Sequence, residues 1–416
     1  LHSFPTRRSS DLHIVGRREQ KNYGASLQLA LNSDLGADRQ NDFTLGTAYS
    51  RGDTSFNSSV EVAQLLENRA TSRTGIFADE FRTNVGSDLA TWSLYFADTL
   101  DVSEQVAVTL AGRYDNTRIQ LSDRSGQSPE LDGRHEFGRF NPAAGLTVHV
   151  TPATVLYASY AESTRAPTPV ELACASEEAP CNLPNAFLAD PPLDEVIARS
   201  VELGIRGTSG RALRWHLGAF RTVNDNDILF QTTGGAQANV GFFDNVSDTR
   251  RAGIEFSLSQ RLTRLSWFFE YSLIDATFED SFIVNSPNHP LFDDGEASSL
   301  IVGDGKLLVA SGSTIPGIPR HQANVGCDFA FNDRFSFGAD VSFRSGVYLR
   351  GDEVNALDKT DSYSVVNLRG EYHVSKEVVV FARLENVFDE AYESFGLLGE
   401  PDRKSTRLNS SHPYRS

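Results

Sequence analysis

The sequence predicts an all-β chain built as an antiparallel transmembrane β-barrel. Three observations carry this: alternation of apolar and polar residues with period two, tight polar turns that alternate with long loops, and aromatic residues near the strand ends. Composition removes the competing classes. With 38 Lys+Arg against 55 Asp+Glu in 416 residues the formal charge is −17, so nucleic acid is not an expected partner. The longest uninterrupted apolar run covers 378–382, against about 20 residues for a membrane-spanning helix. Hydrophobic residues, at 39%, are too many for a disordered tail, and three cysteines are too few for a disulfide scaffold.

The elements follow in chain order. Residues 23–31 and 43–50 alternate, whereas 60–68 fits a short helix or a loop. Trp92, Leu94 and Phe96 then share one face and Ser93, Tyr95 and Ala97 the other; after a turn at 101–105, Val106, Val108 and Leu110 resume the apolar face. The hairpin recurs around turns at 151–154, 207–212, 259–264, 332–334 and 375–377. The connections between hairpins, 116–138, 162–197, 223–250, 276–319 and 345–362, are long and rich in Gly, Asp, Asn, Pro and Ser. Such loops are uncommon in soluble domains, and opposite tight turns they match a barrel with short periplasmic and long extracellular connections. Trp92, Phe96, Tyr157, Tyr160, Trp215, Trp267, Phe269, Tyr271, Tyr348, Tyr363 and Tyr372 sit on or near strand ends, as amphipathic rings do at a membrane interface. An ordinary core is the alternative; the Arg, Asp, Glu, Gln, Ser and Thr of the opposite face favour a wet or plugged lumen.

Both termini read as translated sequencing adapter: residues 2–12 and 402–412 reproduce the translations of the two common short-read adapters. Natural sequence is therefore expected over 13–401, with 1–12 and 402–416 adapter-derived. Removing a net +1 and a net +3 leaves −21. The reading frame is expected to be open at both ends, so the lack of a signal peptide carries no information.

Catalytic signatures such as G-x-S-x-G, H-E-x-x-H and the phosphate-binding loop are absent, and no enzyme activity or cofactor is expected. The nine histidines are scattered singly; His149, His216 and His373 within strands and His321 at a junction read as structural or solvated. Cys174 and Cys181 share one long loop, seven residues apart, and an oxidising compartment would close them into a disulfide; two free thiols are the alternative. Cys327 sits alone in a strand. Acidic pairs Asp225/Asp227, Asp244/Asp248, Glu279/Asp280 and Asp293/Asp294 fit solvated loops, or a cationic ligand or divalent bridge to lipopolysaccharide. Arg165, Arg250, Arg251 and Arg320 lie near strand ends, within reach of an anionic chelate or lipid phosphate.

At 385–396, ENVFDEAYESFG, the chain resembles the N-x-F-D-x-x-Y motif near the end of TonB-dependent outer-membrane receptors, with Asn386, Phe388, Asp389 and Tyr392 in register. Residues 92–115, 141–172 and 245–258 resemble barrel hairpins of the same family, the most specific being Arg165-Ala-Pro167-Thr followed by Glu171-Leu. The resemblance implies a barrel of about 22 strands filled by an N-terminal plug domain. The natural residues supply about 14–16 of those strands at roughly 25–28 residues each, the plug and TonB box being missing. Two unpaired edges predict an open or distorted partial barrel. The implied function is uptake of a scarce large ligand, above all a ferric siderophore, across the outer membrane of a Gram-negative bacterium, with energy through the TonB complex and lipid and lipopolysaccharide around the wall. A passive porin or channel, and a soluble extracellular β-protein, are the rivals.

Overall fold

The computed structural model describes residues 12–36, 39–66, 71–77, 82–126, 128–176, 181–182, 193–210, 212–233, 240–292 and 298–398. Both expected adapter segments lie outside these residues, apart from Leu12. The strands are β1 (Leu12–Gly36), β2 (Arg39–Leu65), β3 (Thr71–Phe77), β4 (Thr83–Ser103), β5 (Val106–Asp123), β6 (Gly133–Thr151), β7 (Thr154–Arg165), β8 (Cys181–Asn182), β9 (Val196–Ser209) and β10 (Leu213–Thr232). They continue with β11 (Val240–Arg261), β12 (Leu265–Phe278), β13 (Phe282–Asn285), β14 (Ile301–Gly303), β15 (Lys306–Val309), β16 (His321–Ala330), β17 (Phe335–Arg344), β18 (Tyr363–His373) and β19 (Val379–Leu384). A one-turn helix, α1 (Pro169–Leu172), follows β7.

All strand pairings in the wall are antiparallel, and the path runs β1-β2-β4-β5-β6-β7-β9-β10-β11-β12-β16-β17-β18-β19, with β3 and β8 joined at its side. This 16-stranded sheet falls within the expected 14–16. Among the described residues nothing pairs β1 with β19, so the wall is open, as two unpaired edges require. Among the described residues no helix is long and apolar enough to cross a membrane.

Register assigns the faces. Leu45, Phe96, Leu94 and Tyr114 lie side by side across β2, β4 and β5, and Leu110, Ala144 and Tyr160 across β5, β6 and β7. Leu27, Leu146, Leu156, Leu203, Leu217, Val325 and Leu384 continue this exposed apolar face. Tyr23, Tyr49, Trp92, Tyr114, Phe140 and Tyr160, one from each of six consecutive wall strands, form an upper aromatic row on it, with Trp92 and Tyr114 edge to face at 6.3 Å. Trp215, Trp267 and Tyr372 face the same way near the short turns, and the Trp267 indole N–H donates to Gln260 at 3.3 Å. So large an exposed apolar band, flanked by rings that tolerate both oil and water, faces lipid.

The opposite face is polar. Arg113 donates to Asp115 at 2.8 Å and to Ser93 at 2.7 Å; Arg369 bridges Asp328 and Asp340 at 2.7 and 2.8 Å. Tyr157, expected at the membrane interface, lies on this face instead: its hydroxyl donates to Glu202 at 2.6 Å and shares a 2.7 Å hydrogen bond with His216. Its ring lies over its cross-strand partner Gly204, where any β-carbon would collide with it. Tyr363 also faces inward, and Tyr348 belongs to a loop with the Lys359 ammonium over its ring.

Two loop expectations are corrected. Residues 116–123 and 133–138 extend β5 and β6, and 223–232 and 240–250 extend β10 and β11, leaving connections far shorter than the sequence suggests. Residues 60–65, expected as helix or loop, complete β2, which stays paired with β1 as far as Val62. The reason is an inversion of polarity. Below Tyr114 the apolar residues of β5 point outward; above it Asn116, Arg118 and Gln120 point outward while Ile119 and Leu121 point inward and are buried. β4 changes phase in the same way, with Leu94 and Phe96 outward below and Val85 inward above.

Candidate functional site

The candidate site is the long-loop end of the wall, where the inward apolar residues of the strand tops are covered by loops. Val85, Ile119, Leu121, Val196 and Ile228 pack against Leu131, Leu172, Cys174 and Leu193 of the connections 124–132 and 166–195. Sequence dictates how the second connection enters this core. Thr168 caps α1: its hydroxyl accepts the Glu171 N–H at 3.2 Å, and the Glu171 carboxylate accepts the Thr168 N–H at 2.6 Å, a reciprocal capping box with Pro169 opening the helix. The same carboxylate holds Arg165 at 2.7 Å, and Pro167 between them is fully buried. The structure thus brings Arg165, Pro167 and Glu171 together as a structural corner that drives Leu172 into the core.

Cys174 follows directly, buried and disulfide-bonded, and its carbonyl accepts the Phe243 N–H at 2.6 Å. The backbone of Cys181 pairs with Gly241 of β11; the Cys181 side chain lies outside the described residues. Cys327 is free and exposed on the wall.

A second core lies beside the first and shares β10 with it, since Ile228 enters one and the adjacent Leu229 the other. The connection 279–320 folds into a separate three-stranded sheet, β13-β15-β14, whose Phe282, Val284, Leu307 and Val309 bury against Phe278. A fully buried pair, His289 and Asp352, ties this sheet to the connection 345–362. The Leu291 N–H donates to His289 Nδ1 at 3.2 Å, so Nε2 carries the proton donated to Asp352 Oδ1 at 3.1 Å. Asp352 also accepts the N–H groups of Ala356 and Leu357 at 2.8 and 3.1 Å. Sequence reasoning missed this pair. Pro287 and Pro290 around His289 mark a stiff loop, but its partner lies 63 positions on, beyond any local pattern.

The last motif is a turn lock. Asn386 and Asp389 adopt left-handed φ of 48° and 50°, which asparagine and aspartate tolerate better than other side chains. Asn386 Oδ1 accepts the Glu390 N–H and its Nδ2 donates to the Glu390 carbonyl, both at 3.0 Å. Tyr392 stacks on Tyr363 at 4.4 Å, while Phe388 is 75% exposed. No described contact joins this group to the Arg165 corner.

The acidic pairs are engaged within the chain where they are described, Asp225, Asp227 and Glu279 by arginines and Asp244, Asp248 and Asp280 by neutral donors. Asp225 pairs with Arg199, Asp227 accepts Thr249 at 2.6 Å and Arg251 at 3.5 Å, Glu279 pairs with Arg250 at 3.1 Å, and Asp280 accepts the Asp248 N–H at 3.3 Å. Asp293 and Asp294 lie outside the described residues. Among the described residues no three His, Cys, Asp or Glu groups converge on a metal position. Two carboxyls at this end depart from ordinary values in opposite senses. Burial acts upward on Asp123, yet hydrogen bonds from Ser125 and Ser128 outweigh it and hold the group below the usual aspartate value. Burial raises Glu353, against the weaker opposing effect of the Gly351 N–H.

Residues 3–387 match the family model "TonB dependent receptor-like, beta-barrel". The ferric-pyoverdine BN7/BN8 receptor of Pseudomonas putida is 24% identical over 356 residues, covering 80% of this chain and 36% of that protein. Among solved structures, the copper transporter OprC aligns with a TM-score of 0.68 at 16% identity, over 96% of this chain and 56% of its own. The ferric-catecholate import receptor Fiu of E. coli K12 aligns at 0.64 and 16% identity, over 95% and 53%. The chain therefore spans about a third of the curated relative and about half of the solved chains, and these low-identity likenesses speak for the fold alone. With an apolar outer band, a polar inner face and a family match along nearly its whole length, the chain belongs to the TonB-dependent receptor-like β-barrel family of the Gram-negative outer membrane.

Proposed function

We propose that the complete protein is an active outer-membrane importer of a scarce, large ligand, a ferric siderophore, energised through the TonB complex. In this reading a plug domain and TonB box, encoded outside this chain, fill the lumen and contact TonB. The observation that carries it is the wall itself: a wide sheet with a hydrogen-bonded polar inner face beneath loops packed into a standing rim, in a family whose curated relative here is named a ferric-pyoverdine receptor. The outward row of Lys21, Arg51, Arg118 and Arg199 above the aromatic belt would stand among lipopolysaccharide headgroups. The pairing of Cys174 with Cys181 and the limits 13–401 for natural sequence belong to the same reading.

Sequencing the source locus with long reads tests the reading, followed by uptake of radiolabelled iron complexed to siderophores in cells with and without the gene and with and without TonB. Plug-coding sequence upstream and TonB-dependent uptake are expected. A signal peptide leading directly into barrel strands, or uptake indifferent to TonB, would favour a passive channel and overturn it.

A further inference from the structure

Between the second core and the segment after β19 lies a cavity of about 160 Å³ that neither the wall nor the family motifs require. Its apolar walls are Leu229 and Phe230 of β10, Phe278 and Phe282, Ile315 and Leu398, while Gln231, Thr232, Asn285, Ser286 and Asn288 add a polar border. The space is close to the roughly 150 Å³ that accommodates a benzene ring in a protein core. One carboxylate enters it. Glu353 Oε1 accepts the Gly351 N–H at 3.1 Å, whereas Oε2 is buried and has no hydrogen-bond partner. Arg350 also lines the cavity and is exposed.

The carboxylate is held in this position by its surroundings. Gly351 takes φ +94°, a conformation glycine alone adopts cheaply, and its carbonyl accepts the Ser286 hydroxyl at 2.6 Å. The neighbouring Asp352 is fixed by His289 and two backbone N–H groups. A buried carboxylate oxygen without a donor is a standing cost, and no hydrogen bond among the described residues relieves it. A ligand that brings a donor and a positive charge would.

We propose that this cavity is a binding site for a small amphipathic cation, an ammonium group on an aromatic or branched aliphatic body. The body lies against Phe230, Phe278 and Leu229, and the ammonium N–H donates to Glu353 Oε2. An anionic ligand would meet the carboxylate, and a whole metal chelate exceeds the space. The site is therefore separate from the uptake of a large ligand, and the inference does not rest on that reading.

The test uses phenethylammonium, phenethyl alcohol and hydrocinnamate, which share one ring and chain length and differ in charge, titrated calorimetrically into the full-length receptor in detergent. The cation should bind at least about tenfold more tightly than the alcohol, as a charge-assisted hydrogen bond implies, and the anion should not bind. Glu353→Gln keeps the volume and the Gly351 hydrogen bond, and should bring the cation down to the alcohol's affinity while leaving the alcohol unchanged. Leu229→Trp, which fills the cavity, should weaken both about tenfold or more. Cation binding unaffected by Glu353→Gln, equal binding of cation and alcohol, preference for the anion, or no cation binding would each overturn the proposal. The ranking of the three probes needs no variant, so a variant that fails to fold does not remove the test.

Discussion

The lower and upper halves of the wall strands share one backbone ladder and carry opposite chemistry. In β5 Leu110 and Tyr114 stand exposed on the outward side, whereas above Tyr114 the side chains of Ile119 and Leu121 bury inward beneath the loops. The hydrogen bonds do not change; the solvent does. Lipid outside and water inside require apolar residues outward, while water outside and a loop-packed interior require the reverse. Alternation in a strand therefore reports a difference between its two surroundings, and its phase reports which side is apolar.

Substitutions on the two faces break this comparison most directly. In the full-length receptor folded into vesicles and titrated with urea, Leu110→Arg should cost about 2–4 kcal/mol, because the charge enters lipid. Ile119→Ala, nine residues up and on the other face, should cost a similar 2–5 kcal/mol or so by opening a cavity in the rim core. Arg118→Leu, outward but above the aromatic row, should change stability by no more than about 0.5 kcal/mol, since its ion pair with Glu136 is exposed. A large gain in stability from Arg118→Leu would place the lipid boundary higher than the aromatic row.

The loop contacts sharpen the upper half. His289→Ala leaves a buried carboxylate oxygen short of a donor and should cost about 2 kcal/mol, read as faster hydrogen exchange across 345–362 with the wall unchanged. Glu171→Ala removes the capping box and the Arg165 contact and should cost about 1 kcal/mol, loosening residues 166–176 in the same measurement. Equal loosening of the whole wall in either variant would show that the rim and wall unfold as one unit.

The smallest effect is one of pH. Glu353 is raised by burial, so its contribution to rim stability is full below the ordinary glutamate value and is lost as pH rises through the raised value. Asp123 works the other way, its contribution being present above the ordinary aspartate value and lost as pH falls through the lowered one. Glu353→Gln should flatten the alkaline side of a denaturant-midpoint profile for rim unfolding and leave the acid side as it was. A profile unchanged by this substitution would mean that the carboxyl is solvated.

Short-range information by itself determined the lower wall. The positions of the tight turns, the alternation at 23–31, at 43–50 and from Trp92 onward, and the Arg165 and Asn386 motifs are all readable because each depends on neighbours one to six residues away. The face assignment of Tyr157 was not readable, since an aromatic ring suits either a lipid interface or a polar lumen, and only its register against Gly204 and His216 decides between them. The upper strands escaped for a related reason: Asn116 to Asp123 alternates too, but with apolar residues on the other face, so the continuation looked like a loop. His289–Asp352 and the Glu353 cavity were set by tertiary structure alone. Their members come from connections separated along the chain, and only the closed hairpins bring those connections together at one end of the wall.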